Sequence, residues 1–138
     1  NSIVSECAYV GSQTHIYNDT LRNNLTLWNE AITDTHIKEV LERVNLLSFL
    51  NRIDEQVSDG SFSEGQKQRI GLIRAFLKGS SVVIFDEATA NLDHNNATRI
   101  EHLLLSDPNI TYITVTHHLI KENEPYFDKI IRLGEGTE

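Results

Sequence analysis

Apolar and polar positions along the chain follow two rhythms in turn. Glu6 to Val10 is short, apolar and β-prone, and Gly11 closes it, which predicts a buried strand. Asn18-Asp19-Thr20 then supplies a natural cap for a short helix through Leu25 and Leu27. Asp34 is placed to cap a second helix whose apolar face is Ile37, Val40, Leu41 and Val44, and Leu46 to Ile53 continues helically. Residues 18 to 53 thus read as all-helical, followed by a polar loop from Asp54 to Ser61. Ser63 and Gln66 make the Ser-x-x-Gln pattern of a capping box, opening a helix to Leu77 with Lys78 and Gly79 as its stop signals. Ser81 to Phe85 is a continuous apolar run of strand length, the pattern of a strand covered on both faces. A helix through Ile100, Leu103 and Leu104 follows, then a strand at Ile110 to Val115. Another apolar run, Lys129 to Leu133, precedes Gly134 and Gly136.

Strand, helix and strand in alternation imply an α/β layer with a parallel sheet. Ligands of such sheets bind beyond the carboxyl ends of the strands. Gln13 follows the first strand, Asp86 and Glu87 the second, and His117 the third, so these groups are expected on one edge. A strand tip presents Asp86 rigidly, where a hard cation such as Mg2+ prefers carboxylate oxygen. Glu87, one residue on, is placed to polarise a water for attack on a phosphoryl group. Ser63 and Gly65 open a helix and expose a hydroxyl and unpaired amides, a suitable seat for a phosphate. Taken singly, each pattern also suits an acidic turn or a plainly capped helix.

Composition narrows the choice. With 138 residues, 39% of them apolar and 23% charged, the chain fits one domain with a real core. A formal net charge of −8 argues against general nucleic-acid binding, which needs a basic surface. It does not oppose a nucleotide, whose phosphates are neutralised locally by amides and a metal ion. Cys7 is the only cysteine, so no internal disulfide forms, and a reducing, cytosolic setting fits. No apolar stretch approaches the roughly 20 residues that span a bilayer, and no secretory signal opens the chain. Asn1 stands where an initiator Met would, so a piece of a longer protein is expected.

Together the segments resemble, in order and spacing, the ATP-binding cassette (ABC) family. Phe62-Ser63-Glu64-Gly65-Gln66 is similar to its signature, usually written Leu-Ser-Gly-Gly-Gln, and Gln68-Arg69 and Arg74-Ala75 resemble the helix behind it. Val82 to Glu87 resembles the Walker B strand, Ala90-Asn91-Leu92-Asp93 the D-loop, and Val115-Thr116-His117 the switch-His loop. Tyr9 to Gln13 resembles the Q-loop, and Ile16 to Leu25 the segment typical of exporter cassettes. The likeness covers essentially the whole chain.

The resemblance implies a partial P-loop NTPase core, with parallel strands and flanking helices, plus an all-helical subdomain. Residues 18–77 would be that subdomain, and 1–17 with 80–138 the remainder of the RecA-like core, in one partial domain over 1–138. It implies ATP and Mg2+ as ligands, a transmembrane domain and a second nucleotide-binding domain as partners, and a place at the cytoplasmic face of a membrane. Asp86 would hold Mg2+, directly or through water, with Gln13 sensing the ion and the attacking water. Glu87 would be the general base, and His117 would contact the γ-phosphate. Ser63, Gly65 and Gln66 would complete the partner's site in a head-to-tail dimer, and Asp93 would couple the two sites.

Three departures stand out. No Gly-x-x-x-x-Gly-Lys-Ser/Thr occurs, so the P-loop is expected upstream and the chain alone should be inactive. Glu64 replaces the usual first Gly of the signature and should weaken binding across the dimer unless it turns to solvent. Val57 to Ser61 is shorter than the usual exporter loop before the signature. The alternatives are a soluble repair or chromosome-maintenance ATPase of the wider superfamily, and a non-catalytic module. The absence of sustained heptads from Ser12 to Phe62 favours a transporter over the first.

Overall fold

The computed structural model describes residues 7–134; the expectations for Glu6 and Gly136 lie outside them. Strands β1 (Cys7–Val10), β4 (Val82–Asp86) and β5 (Thr111–Val115) form a parallel sheet in the order β1-β4-β5. Strands β2 (Asp19–Thr20) and β3 (Gln56–Val57) form a small antiparallel ladder. The helices are α1 (Leu21–Thr26), α2 (Asp34–Arg43), α3 (Glu64–Lys78) and α4 (His94–Ser106). Short 3-10 turns occupy Leu47–Arg52, Asp59–Ser61 and Lys121–Tyr126.

Local chemistry explains most of the boundaries. Ser63 caps α3 by accepting from the Gln66 amide, Gln66 reciprocates on the Ser63 amide, and the chain turns left-handed at Gly79. Thr20 caps α1, its hydroxyl accepting from the Asn23 amide. For α2 the cap is Thr33, not Asp34; the hydroxyl accepts from His36. Asp34 falls in the first turn, where its charge meets the positive end of the helix.

Residues 18–53 are not all-helical. The backbone at Asp19 and Thr20 pairs with Val57 and Gln56, and Leu47–Arg52 is wound as 3-10 rather than α. The buried Asn24 holds this corner together. Its side chain accepts from the Tyr17 amide and donates to the Tyr17 and Thr20 carbonyls, while Arg74 of α3 donates to its backbone oxygen.

α1 and α2 pack against α3, and α3 continues onto β1, so one hydrophobic core runs from the helices to the sheet. Val83 and Phe85 face that core, with Ile70, Ile73, Ile100 and Leu104 in the same cluster. The sheet is covered on this face only among the described residues, contrary to the reading of Ser81 to Phe85. Tyr9, Ile113 and Val115 are 64%, 47% and 58% exposed on the other. The run from Lys129 to Leu133 joins no sheet there, and Ile131 and Leu133 are exposed.

Candidate nucleotide site

Parallel pairing decides where the polar groups fall. Val10 lies opposite Phe85, and Asp86 opposite Val115, so all three strands end at one edge. Asp86 closes β4. Glu87 then takes a left-handed backbone conformation (φ 57°), uncommon for a non-glycine residue and held by its surroundings. Its amide donates to the Val115 carbonyl at 3.0 Å, which fixes the turn to the end of β5. Its carboxylate Oε1 accepts from the His117 amide at 2.9 Å, with the His117 imidazole Nε2 at 3.8 Å. The His117 side chain is 88% exposed, Glu87 much less. Asp86, Glu87 and His117 are therefore gathered as the sequence predicts. Gln13 is exposed on the loop after β1 and makes no hydrogen bond among the described residues.

The second group of residues forms a separate unit at the start of α3. The Ser63 hydroxyl and the Gln66 carboxamide oxygen are spent on each other's backbone amides, at 3.1 and 2.9 Å. Gly65 is a true close approach, because a Cβ there would sit 2.7 Å from the Asn91 carbonyl. Gln68, also on α3, accepts from the Asn91 amide at 3.2 Å. The opening of α3 and the Ala90–Asp93 turn are thus joined by the Gln68 side chain and by the close approach at Gly65. Asp93 caps α4, accepting from the amide and the side chain of Asn96, and these bonds hold its carboxyl below the usual carboxylate range. Glu64 is turned toward Lys67, a buried cation that donates to Glu64 at 3.0 Å and Asp59 at 2.9 Å. It shares that ammonium with Asp59, so one cation serves two carboxylates at the start of the helix.

Among the described residues no group of three or more His, Cys, Asp or Glu could hold a metal by itself. Asp86 and Glu87 suit a hard cation whose remaining ligands come from phosphates and water. Sequence reasoning missed Tyr9, whose hydroxyl donates to Asp86 Oδ2 at 2.5 Å. It also missed the roles of Lys67 and Gln68; the only local signal was the Glu64–Lys67 spacing of three.

A parallel sheet with polar strand tips at one edge and a capped helix joined to the Ala90–Asp93 turn make an α/β protein of the kind that binds its ligands beyond the carboxyl ends of the strands. The ABC transporter family model matches residues 2–90, and the chain belongs to that family. It is 32% identical, over 98% of its length, to a probable ABC transporter ATP-binding/permease protein of Haemophilus influenzae. It is also 32% identical, over 86% of its length, to an ATP-dependent lipid A-core flippase of Desulfotalea psychrophila. It spans 25% and 22% of those two proteins. A bacterial Atm1-family ABC exporter solved with ATP bound shares the fold, with a TM-score of 0.77 over 87% of this chain and 22% of that one, at 21% identity.

Proposed function

We propose that this chain is part of the nucleotide-binding domain of an ABC exporter, which hydrolyses ATP as a head-to-tail dimer to drive transport. The observation that carries the reading is Glu87, held in a strained turn between the β5 edge and the His117 amide. Such a carboxylate is oriented before any ligand arrives, as a general base requires. Asp86 at the strand tip would hold Mg2+, directly or through water, and Gln13 on the loop after β1 would sense the cation and the attacking water. When bound, Mg2+ neutralises charge developing on the phosphates. His117 orients toward the γ-phosphate while its amide steadies Glu87.

Ser63, Gly65 and Gln66 face the nucleotide of the second copy, and Asp93 couples the two sites. Residues 18–77 serve as the helical subdomain that meets the transmembrane domain, which places the unit at the cytoplasmic face of the membrane. The flippase relative and Ile16 to Leu25 support this direction of transport. A superfamily ATPase with a coiled-coil arm is disfavoured, since every helix between Gln13 and Ser63 is short.

Glu87→Gln in the intact parent protein tests the reading. The amide keeps the shape and loses the proton acceptor, so ATP turnover should fall about 100-fold or more with nucleotide binding retained. Near-normal hydrolysis would remove Glu87 from the role.

A further inference from the structure

α4 buries Ala97, Ile100, Glu101 and Leu104, which share one helix face, so a carboxylate stands in a stripe that is otherwise apolar. Glu101 is only 4% exposed. A buried carboxylate is costly unless its oxygens are satisfied, and its hydrogen-bond partners here are neutral. Oε2 accepts from the Tyr112 hydroxyl at 2.8 Å, and Oε1 accepts from the Asn123 carboxamide nitrogen at 3.2 Å. Asn123 is itself buried and donates also to the Thr98 carbonyl at 3.0 Å. The Tyr112 ring meets Phe85 edge-on and lies beside Phe127. Burial, and after it the Glu101 charge, push the phenol above its ordinary pKa, so it remains a donor. Tyr112 belongs to β5 and Asn123 to the 3-10 turn Lys121–Tyr126, so the two tethers flank the segment that carries His117. Residues 116–118 are exposed; Thr116 and His118 bond to each other, and the His117 amide donates to Glu87.

We propose that Glu101 is a positioning residue: by holding both flanks of this segment it sets the His117 amide against Glu87, and so orients the general base. The inference rests on the roles of Glu87 and His117 in ATP hydrolysis. A carboxylate suits the task because it accepts from two donors at once. An apolar residue of its size would fill the space and release both the phenol and the carboxamide. The buried carboxylate thus links the far side of α4 to an edge of the sheet that it does not itself reach.

ATP turnover, affinity for a non-hydrolysable ATP analogue and amide hydrogen exchange are measured in the intact parent protein, for the unaltered chain and for Glu101→Leu, Glu101→Gln, Tyr112→Phe and His117→Ala. Glu101→Leu should lower turnover about tenfold, the scale of a small misplacement of a catalytic group, while analogue affinity changes less than about twofold. Exchange of the His117 amide should accelerate while α4 keeps its protection. Glu101→Gln should restore most of the turnover, since its oxygen still accepts from Asn123 and its amide donates to the phenol oxygen. Tyr112→Phe, which cuts one tether and keeps the ring in the core, should speed exchange at His117 as well. Unchanged His117 exchange in Tyr112→Phe overturns the positioning role, even where Glu101→Leu folds poorly. So does exchange that rises equally along the whole of α4, which marks a role in folding alone. If His117→Ala lowers turnover and Glu101→Leu does not, the positioning role falls and the function stands. If His117→Ala leaves turnover intact, the reading of His117 falls and the proposal with it.

Discussion

Glu64 looks, in the sequence, like a charge placed against a phosphate, and its neighbour Lys67 changes that picture. A Glu three residues before a Lys on a helix reaches it readily, and here the ammonium is buried while both carboxylates it serves lie at the surface. Replacing Glu64 with Gly leaves Lys67 to Asp59 alone, and the carboxylate it removes is one turned toward that ammonium. ATP-dependent dimerisation of the parent should then change less than about twofold, well under the effect of a full unit charge at a phosphate. Lys67→Met uncovers two carboxylates beside the helix N-terminus, and dimerisation should weaken more at low salt than at high salt. Sedimentation at two ionic strengths separates the cases; a strong gain for Glu64→Gly would show that its side chain faces the partner's nucleotide. Gly65 admits no such latitude. Gly65→Ala drives a methyl into the Asn91 carbonyl, so the Ala90–Asp93 turn must move, and the parent should lose both stability and turnover.

Elements whose ends are fixed by adjacent residues were legible in the sequence. The capping box at Ser63 and Gln66, the stop at Gly79 and the apolar run of β4 all stand where local chemistry puts them. So do Asp86, Glu87 and His117, because parallel strands bring their ends together without further information. What stayed hidden depends on distant register. The β2–β3 ladder is two residues long on each side, too short to leave an alternation. Tyr9 meets Asp86 only once β1 has been laid beside β4. Thr33 won the cap from Asp34 by one residue, a choice periodicity does not resolve. Asn24 is the linchpin of α1, and Asn24→Ala strips partners from the Tyr17 amide and from Arg74 in a buried corner. A loss of about 2–4 kcal/mol in denaturant unfolding is expected. For α4, the cap Asp93 has its carboxyl held below the usual range by Asn96. Its contribution is fully present above the ordinary carboxylate pKa of about 3.9 and is lost as pH falls through the lowered value. Amide exchange at the first turn of α4 should accelerate in that acid window before the rest of the helix opens.

Across the molecule, one face of the sheet is packed and the other is open. Tyr9, Ile113 and Val115 on that open face, with Ile131 and Leu133, leave large apolar side chains at the surface. This chain alone should bind an apolar fluorescent dye and associate as its concentration rises, and light scattering would reveal both a clean monomer and its absence. It should also bind MgATP weakly, since no segment supplies a P-loop amide cradle and lysine. Micromolar affinity in a calorimetric titration would show that another phosphate cradle exists. The order of the strands also sets a timetable. β1 pairs with β4, and about 75 residues separate Cys7 from its partner Val82. At roughly 5–20 residues per second, β1 leaves the ribosome on the order of 4–15 s before β4 does. α1 to α3, by contrast, can begin to pack as they emerge. The nascent chain therefore carries β1 without β4 beside it through that interval, and chaperone demand during synthesis should fall once Phe85 is made and β4 can pair.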